Sequence, residues 1–277
     1  MFKKIAIVGL GLMGGSLAAA CKKKFPHAKV IGITRNRKAL ALALKKRWIH
    51  EGTYQLNSGV RDADLIILCT PVDTFLLYMK EIDRICKKGA LVTDVGSVKA
   101  VIQKKVNQLK WRNLSFVSCH PMVGSHKRGI EAVNASLYEN GLMILIRDKK
   151  NCPCSYKQVK QFWNSFSKNI VEMTPEAHDK LVGEISHLPH AVAVCLTQAV
   201  SDRALRLASN GFRDTTRVAA SSPSIWCPIF KANRREVLSS IRLFEKEINQ
   251  FKKLLQSSDP NGLCRYLDAA QKRRCHL

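Results

Sequence analysis

The feature that most narrows what this chain can fold into occupies its first two dozen residues. Lys4-Ile-Ala-Ile-Val8 is a short, continuously apolar run rich in β-branched residues, the pattern of a parallel strand covered on both faces. Gly9-Leu10-Gly11-Leu12-Met13-Gly14 follows without a gap, and Ser16 to Lys24 then reads as a helix. The three glycines have separate tasks in such a turn. The first permits the tight reversal, the second lets backbone approach a pyrophosphate, and the third lets the helix pack close to its strand. The helix amino-terminus meets the phosphates with unpaired N–H groups. Lys29-Val-Ile-Gly-Ile33 is a second strand, one strand–helix–strand unit later. Strand, glycine turn and helix in that order predict a dinucleotide site made by Gly9, Leu10, Gly11, Leu12, Met13 and Gly14.

What ends the second strand separates one dinucleotide from another. An acidic residue there binds the ribose hydroxyls of NAD. This chain has Thr34-Arg35-Asn36-Arg37, with no carboxylate. A hydroxyl from Thr34 and the guanidinium forks of Arg35 and Arg37 suit a 2′-phosphate, so NADP is the expected cofactor, with NAD possible. Further strands follow. Asp64 to Cys69 ends in Thr70-Pro71, Ala90 to Thr93 in Asp94-Val-Gly-Ser97, Phe116 to Cys119 in His120-Pro121, and Leu142 to Ile146 in Arg147-Asp148. In open parallel sheets ligands bind outside the carboxyl ends of the strands, so Thr70, Pro71, Ser97 and His120 are expected to converge there with the glycine turn.

The second half changes character. Tyr156 to Phe166 reads as a helix and Asn169 to Met173 as a last strand, and after Pro175 the pattern is helical almost throughout. The expected fold class is therefore α/β: an N-terminal Rossmann-type doubly wound parallel sheet over 1–174, then an all-helical C-terminal domain over 175–277. One long helix is expected from Glu176 to about Ser201, loosened at Pro189, which lacks a donor for the carbonyl of Ile185. Gly211 reads as a stop for the turns that follow, and Asn233 with Glu236 resembles a capping box. Behind that cap Val237, Ile241, Phe244, Ile248, Phe251 and Leu255 alternate spacings of four and three, a narrow apolar seam on a charged helix. Such a seam can pack on its own domain. With so many helices in so few residues, at least one seam is expected to meet a second copy, giving a homodimer through the C-terminal helices.

Composition excludes more than it proves. Lys3 and Lys4 before the uncharged run Ile5 to Cys21 mimic a signal peptide, but four glycines weaken it as a helix. No other stretch approaches the roughly 20 apolar residues of a membrane span. The ten cysteines are scattered, those at 69, 119 and 195 lie in apolar runs, and Cys152-Pro153-Cys154 has no second pair at zinc spacing. Reduced thiols and a cytoplasmic, membrane-free protein are expected. The formal charge of +25 raises nucleic acid as a partner, but the basic residues fall in short dispersed clusters without a reader motif. A basic surface that attracts a small anionic substrate is the simpler account, with no nucleic acid bound.

Five local patterns narrow the chemistry: Gly9-x-Gly-x-x-Gly14, Asp94-Val-Gly-Ser-Val-Lys99, His120-Pro-Met-Val-Gly124, Ser186-His-Leu-Pro-His190 and Asp214-Thr-Thr-Arg217. In this order and spacing the chain resembles the prephenate/arogenate dehydrogenase family over nearly its whole length. The resemblance implies oxidative decarboxylation of a cyclohexadienol, with hydride passing to a nicotinamide and the ring becoming aromatic. It implies that His120 is the base for the hydroxyl proton, a role that suits a neutral imidazole. A histidine that only caps its loop is the alternative. It implies that Ser97 bonds both that histidine and the substrate hydroxyl, although a serine before a helix can also be an N-cap.

The resemblance further implies that His187 and His190 line the substrate pocket and that Arg217 clamps a substrate carboxylate. Asp214 is expected to cap its short helix. The pKa of His120 is expected slightly below the ordinary ~6.5, through burial and the neighbouring arginine. No metal is expected, because His187 and His190 have no third ligand at convincing spacing. Many relatives carry an acid where this chain has His126, and no role is carried over there. Neither a regulatory tyrosine-binding extension nor a fused chorismate mutase is expected. Two other readings stay open: a hydroxyacid- or pyrroline-carboxylate-type dehydrogenase with a helical second domain, and a dinucleotide-sensing protein that binds nucleic acid.

Overall fold

The apolar runs of the first half become strands because both of their faces are covered. In the computed structural model, which describes residues 2–124 and 129–276, six strands form one parallel sheet. They are β1 (Lys4–Val8), β2 (Lys29–Ile33), β3 (Glu51–Thr53), β4 (Leu65–Leu68), β5 (Ala90–Asp94) and β6 (Leu114–Phe116), in the order 3-2-1-4-5-6. The helices between them are α1 (Leu12–Lys24), α2 (Arg37–Lys45), α3 (Leu56–Val60), α4 (Phe75–Ile85) and α5 (Ala100–Asn107). Alternate residues of β1 feed opposite cores. Ile5 and Ile7 pack with Leu17, Phe162 and Trp163, while Ala6 and Val8 pack with Ile66, Phe75 and Met79. This is the doubly wound sheet expected from the sequence.

The strand expected from Phe116 to Cys119 is instead two. β6 stops at Phe116, and β7 (Cys119–Met122) joins a second sheet, antiparallel to β8 (Leu142–Ile146), which pairs parallel with β9 (Ile170–Met173). The cause is a carboxylate between the sheets: Asp94 accepts bonds from Ser118 Oγ at 2.6 Å and Cys119 N at 3.2 Å, and the chain turns away there. His120 consequently lies inside β7, opposite Ile144, rather than beyond a strand end. Helix α6 (Pro153–Asn164) connects β8 to β9 and delivers Phe162 and Trp163 to the core.

The single long helix expected after Pro175 is also broken. α7 (Pro175–Val182) opens on Thr174, whose hydroxyl accepts from Ala177 N, and passes into a wide turn, Gly183–His187, before α8 (Leu188–Ala199). In that turn Leu188 N–H bonds the carbonyl of Gly183, five residues back. Pro189 supplies no N–H, and the widened turn is how the chain accommodates the missing donor. α9 (Asp202–Leu205) and α10 (Asn210–Thr216) follow, then a tight turn over Arg217–Ala220. Gly211 lies near the start of α10, so it does not stop a helix; Ser209 precedes that helix instead.

α11 (Pro223–Ala232), α12 (Arg234–Gln256) and α13 (Gly262–Cys275) complete the described chain. Asn233 stands at the start of α12 as expected, but its side chain makes no cap. Along α12 Val237 is buried, Ile241, Phe244 and Phe251 are half-buried, and Ile248 and Leu255 are exposed. No helix among the described residues is long and apolar enough to cross a membrane. All ten cysteines are free. Cys119 is buried and Cys69 half-buried, whereas Cys195, expected inside, faces outward.

Candidate active site

The glycine turn has the shape that its sequence requires. Gly9 has φ +99°, and a Cβ there would stand 2.8 Å from the carbonyl oxygen of Cys69. A Cβ on Gly14 would fall 1.8 Å from Gly9 O, so α1 can approach β1 only with glycine there. Gly11 has open space in front of it and begins α1 without a side-chain cap. The first N–H groups of α1 are therefore free of a side-chain cap, and no acidic residue stands in its first turn. Thr70 lies beside Gly9, 3.0 Å from the same hypothetical Cβ, and its hydroxyl bonds that of Thr74 at 2.8 Å. Pro71 begins the next turn. The cradle fits a pyrophosphate.

At the end of β2, Thr34 Oγ1 accepts from Asn36 N at 3.2 Å, and Asn36 caps α2 through Ala39 N. Arg35 and Arg37 are exposed. Neither forms an ion pair among the described residues, so both guanidinium groups are free to meet an anion.

A buried polar hub joins the two sheets. Asp94 and Lys99, each 1 % exposed, pair at 2.6 Å, and Lys99 Nζ also donates to Cys119 O at 2.7 Å. The other Asp94 oxygen takes Ser118 and Cys119, so the carboxylate is fully engaged. Ser97 lies half-buried between β5 and α5, and its hydroxyl makes no hydrogen bond among the described residues. It does not cap α5. That task falls to Asp179, whose carboxylate accepts from Lys99 N and Ala100 N, both at 2.8 Å.

Next to the hub stands His120, 9 % exposed, with Nδ1 2.8 Å from Nε2 of His178. His178 is itself fully buried and places Nδ1 2.8 Å from Asp179 Oδ1. Burial first, and then the nearby His178, Lys99 and His187, hold the pKa of His120 well below the ordinary histidine range. The depression is deeper than expected, and Lys99 supplies the cationic influence assigned beforehand to an arginine. His178 is lowered too, by burial, against the opposing bond to Asp179.

The expected histidine pair closes the other side. Asn233, expected as a cap, donates its amide to Asp179 O at 2.8 Å and to His187 Nδ1 at 3.0 Å. His187 Nδ1 therefore accepts, and its proton sits on Nε2, which is buried without a partner. Burial lowers its pKa to about 4. His190 stacks on Trp226 at 3.5 Å between ring centroids, with Phe230 beside both. Its Nδ1 is likewise buried and unpartnered, and burial lowers its pKa. Polar atoms left unpaired in such a place mark a site built for a polar ligand.

Arg217 is not drawn into this cluster. It is exposed, it opens a turn that packs on α8, and no side-chain bond joins it to the histidines or to Asp214 among the described residues. Asp214 lies well inside α10 and uses only its backbone carbonyl, which accepts from Arg217 N; it caps nothing. His126 lies outside the described residues. Four contributors to the site had not been singled out as such: His178, Asp179, Asn233 and Trp226. The signal available was the buried helical stripe Pro175, His178, Asp179, Val182, His187, His190, where polar residues stand at core spacing.

A glycine-turn dinucleotide cradle beside a buried histidine cluster on a helical partner defines a Rossmann-type nicotinamide dehydrogenase. The comparisons with known proteins narrow the class. Residues 17–172 match the family model for the prephenate dehydrogenase nucleotide-binding domain, and residues 174–269 that for the prephenate dehydrogenase dimerization domain. Prephenate dehydrogenase of Bacillus subtilis is 35% identical over 277 residues, covering 98% of this chain and 75% of the relative. Cyclohexadienyl dehydrogenase of Zymomonas mobilis is 30% identical, covering 100% and 97%. Among solved structures, prephenate dehydrogenase from Aquifex aeolicus with hydroxyphenyl propionate and NAD+ superposes with a TM-score of 0.92. It is 32% identical, and the match covers 100% of this chain and 98% of that one. The chain belongs to the prephenate dehydrogenase family, an oxidoreductase family, and a nicotinamide dinucleotide is its cofactor.

Proposed function

We propose that this enzyme oxidatively decarboxylates prephenate or arogenate, giving 4-hydroxyphenylpyruvate or tyrosine, in tyrosine biosynthesis. The observation that carries the reading is His120: a histidine kept neutral by burial, where the nucleotide-binding sheet meets the helical half. The bound dinucleotide supplies the hydride acceptor. Gly9, Leu10, Gly11, Leu12, Met13 and Gly14 hold its pyrophosphate, with Thr70 and Pro71 along one side. Thr34, Arg35 and Arg37 take the 2′-phosphate and make NADP the preferred form, with NAD also accepted.

His120 accepts the proton of the ring hydroxyl as hydride leaves the same carbon. The bond to the ring carboxylate then breaks, carbon dioxide departs, and its electron pair makes the ring aromatic as the oxygen regains its proton. Ser97 orients the hydroxyl, and His187 offers its unpaired Nε2–H to the substrate. His190, stacked on Trp226, walls the pocket against water. Arg217 clamps a carboxylate. Residues 1–174 form the dinucleotide-binding domain and 175–277 the substrate-binding and dimerising one, a boundary supported by β9 ending at Met173. The partner is a second copy, docked through the C-terminal helices.

The test is reduction of NADP and of NAD, each assayed with prephenate and with arogenate. Substrate-dependent reduction, faster with NADP at equal concentration, is expected. No reduction with either substrate contradicts the reaction, and faster reduction of NAD contradicts the reading of the Thr34–Arg37 loop.

A further inference from the structure

We infer that His178 and Asp179 are positioning residues that fix the tautomer of His120 and make Nε2 its basic nitrogen. The inference rests on His120 being the base, as proposed above. It follows from counting donors and acceptors along one chain of atoms.

Asp179 anchors the chain. Its carboxylate takes Lys99 N on Oδ1 and Ala100 N on Oδ2, each at 2.8 Å, at the amino-terminus of α5. Oδ1 also lies 2.8 Å from His178 Nδ1. A carboxylate held by two backbone donors can only accept from a third neighbour, so the proton of His178 is on Nδ1. His178 is neutral, because burial outweighs the carboxylate beside it. Its Nε2 therefore carries a lone pair. That lone pair stands 2.8 Å from His120 Nδ1, and the contact is a hydrogen bond only if His120 Nδ1 bears the proton. Neutral imidazole has one N–H, so the lone pair of His120 is on Nε2.

The wiring crosses the molecule's main division. His120 belongs to β7 of the second sheet, whereas His178 and Asp179 belong to α7. The ring that accepts the proton is thus oriented from the helical half, and its competence depends on how α7 seats on α5. When His120 gains a proton on Nε2, its Nδ1–H still points at the His178 lone pair, and Asp179 stands one ring behind. The other charged groups facing His120 are Lys99, neutralised by Asp94, and His187. None of them offers an acceptor to Nδ1 among the described residues. The chain also anchors three groups at a single carboxylate, so the ring is held in register and not merely buried.

Two measurements test this. The first is nitrogen-15 NMR of the intact protein labelled at histidine, with His120→Asn used to assign the resonance. His120 should show the pyrrole-type shift at Nδ1 and the pyridine-type shift at Nε2. The opposite pattern overturns the inference, whatever the enzyme's activity. The second compares pH profiles of turnover for the unmodified protein, His178→Phe and His178→Gln. The phenylalanine fills the space but accepts nothing. It should lower kcat at least about tenfold, with KM and dinucleotide affinity within about twofold, and shift the acid limb. Glutamine offers an amide oxygen to Nδ1–H and should recover part of the loss. An unmoved acid limb with full turnover in His178→Phe overturns the inference. If His120→Asn keeps full turnover while the tautomer is as inferred, the base assignment fails and the hydrogen-bond chain stands.

Discussion

The two halves of the molecule spend their interiors differently. The first half surrounds its sheet with apolar side chains, and Ile5, Ile7, Leu65, Ile66, Phe75 and Trp163 are completely removed from water. Among the described residues from 175 onward, the buried hydrophobic side chains are Val182, Ala193, Ile229 and Val237. Beside them are buried His178, Asp179, His187, His190 and Asn233. Large apolar groups meanwhile face outward, with Leu207 at 84%, Ile185 at 64% and Leu255 at 60% exposure. The contrast teaches a division of labour. The sheet is stabilised within its own chain, while the helices enclose a polar site and leave their apolar surface to be covered by something else. A region matched to a dimerization domain has the surface that such a role needs.

The largest expected effect lies in the first half. Lys99→Ala would leave Asp94 buried at 1 % exposure without its cation. Breaking such a pair costs about 3–5 kcal/mol, which urea unfolding would register as a large drop in midpoint. A drop comparable to that of an exposed pair such as Lys272–Asp268 would mean that the hub does not hold the sheets together.

The second effect belongs to the helices. Ile248→Asp puts a charge on the exposed seam of α12, and each copy loses about 1.5–3 kcal/mol of apolar burial if that seam is an interface. Sedimentation should show the mass falling from two chains to one. Lys38→Asp, on the first half, should leave the mass unchanged. Equal masses for the seam variant and the unmodified protein would place the dimer contact elsewhere.

The smallest effect is graded with pH. The folded-state pKa of His187 is about 4, below the unfolded value of ~6.5. Between those values the unfolded chain binds more protons, so stability is complete above ~6.5 and falls as the pH drops toward 4. Each such histidine contributes a slope of up to about 1.4 kcal/mol per pH unit. His187→Asn should flatten the dependence of unfolding free energy on pH by about that amount. An unchanged slope would mean that the ring is not buried neutral.

The same contrast governs what could be read from residues alone. β1, β2, β4 and β8 are built on apolar runs, and the glycine turn has a local shape, so both were legible. β6 and β7 were not separable, because Asp94 reaches Ser118 and Cys119 from 24 and 25 residues away. The helical site was legible only in part. His187 and His190 stand three apart on one face, but His178 reaches His120 across 58 residues. Asn233 looked like a cap and was claimed by Asp179 and His187 instead. Hydrogen bonds between distant elements leave no periodic trace, and the candidate site is made of them.

The most direct test of the account is the pH profile of kcat for the unmodified enzyme and for His120→Asn, over the range where both are folded. In the proposed role His120 acts as the neutral ring, and burial holds its pKa well below the ordinary histidine range. Turnover should therefore hold into weakly acidic solution and then fall as the ring gains a proton. His120→Asn should turn over roughly a hundredfold more slowly, bind the dinucleotide as before, and show no acid limb. Near-normal turnover with the same acid limb in that variant would contradict the account and give the base to another group.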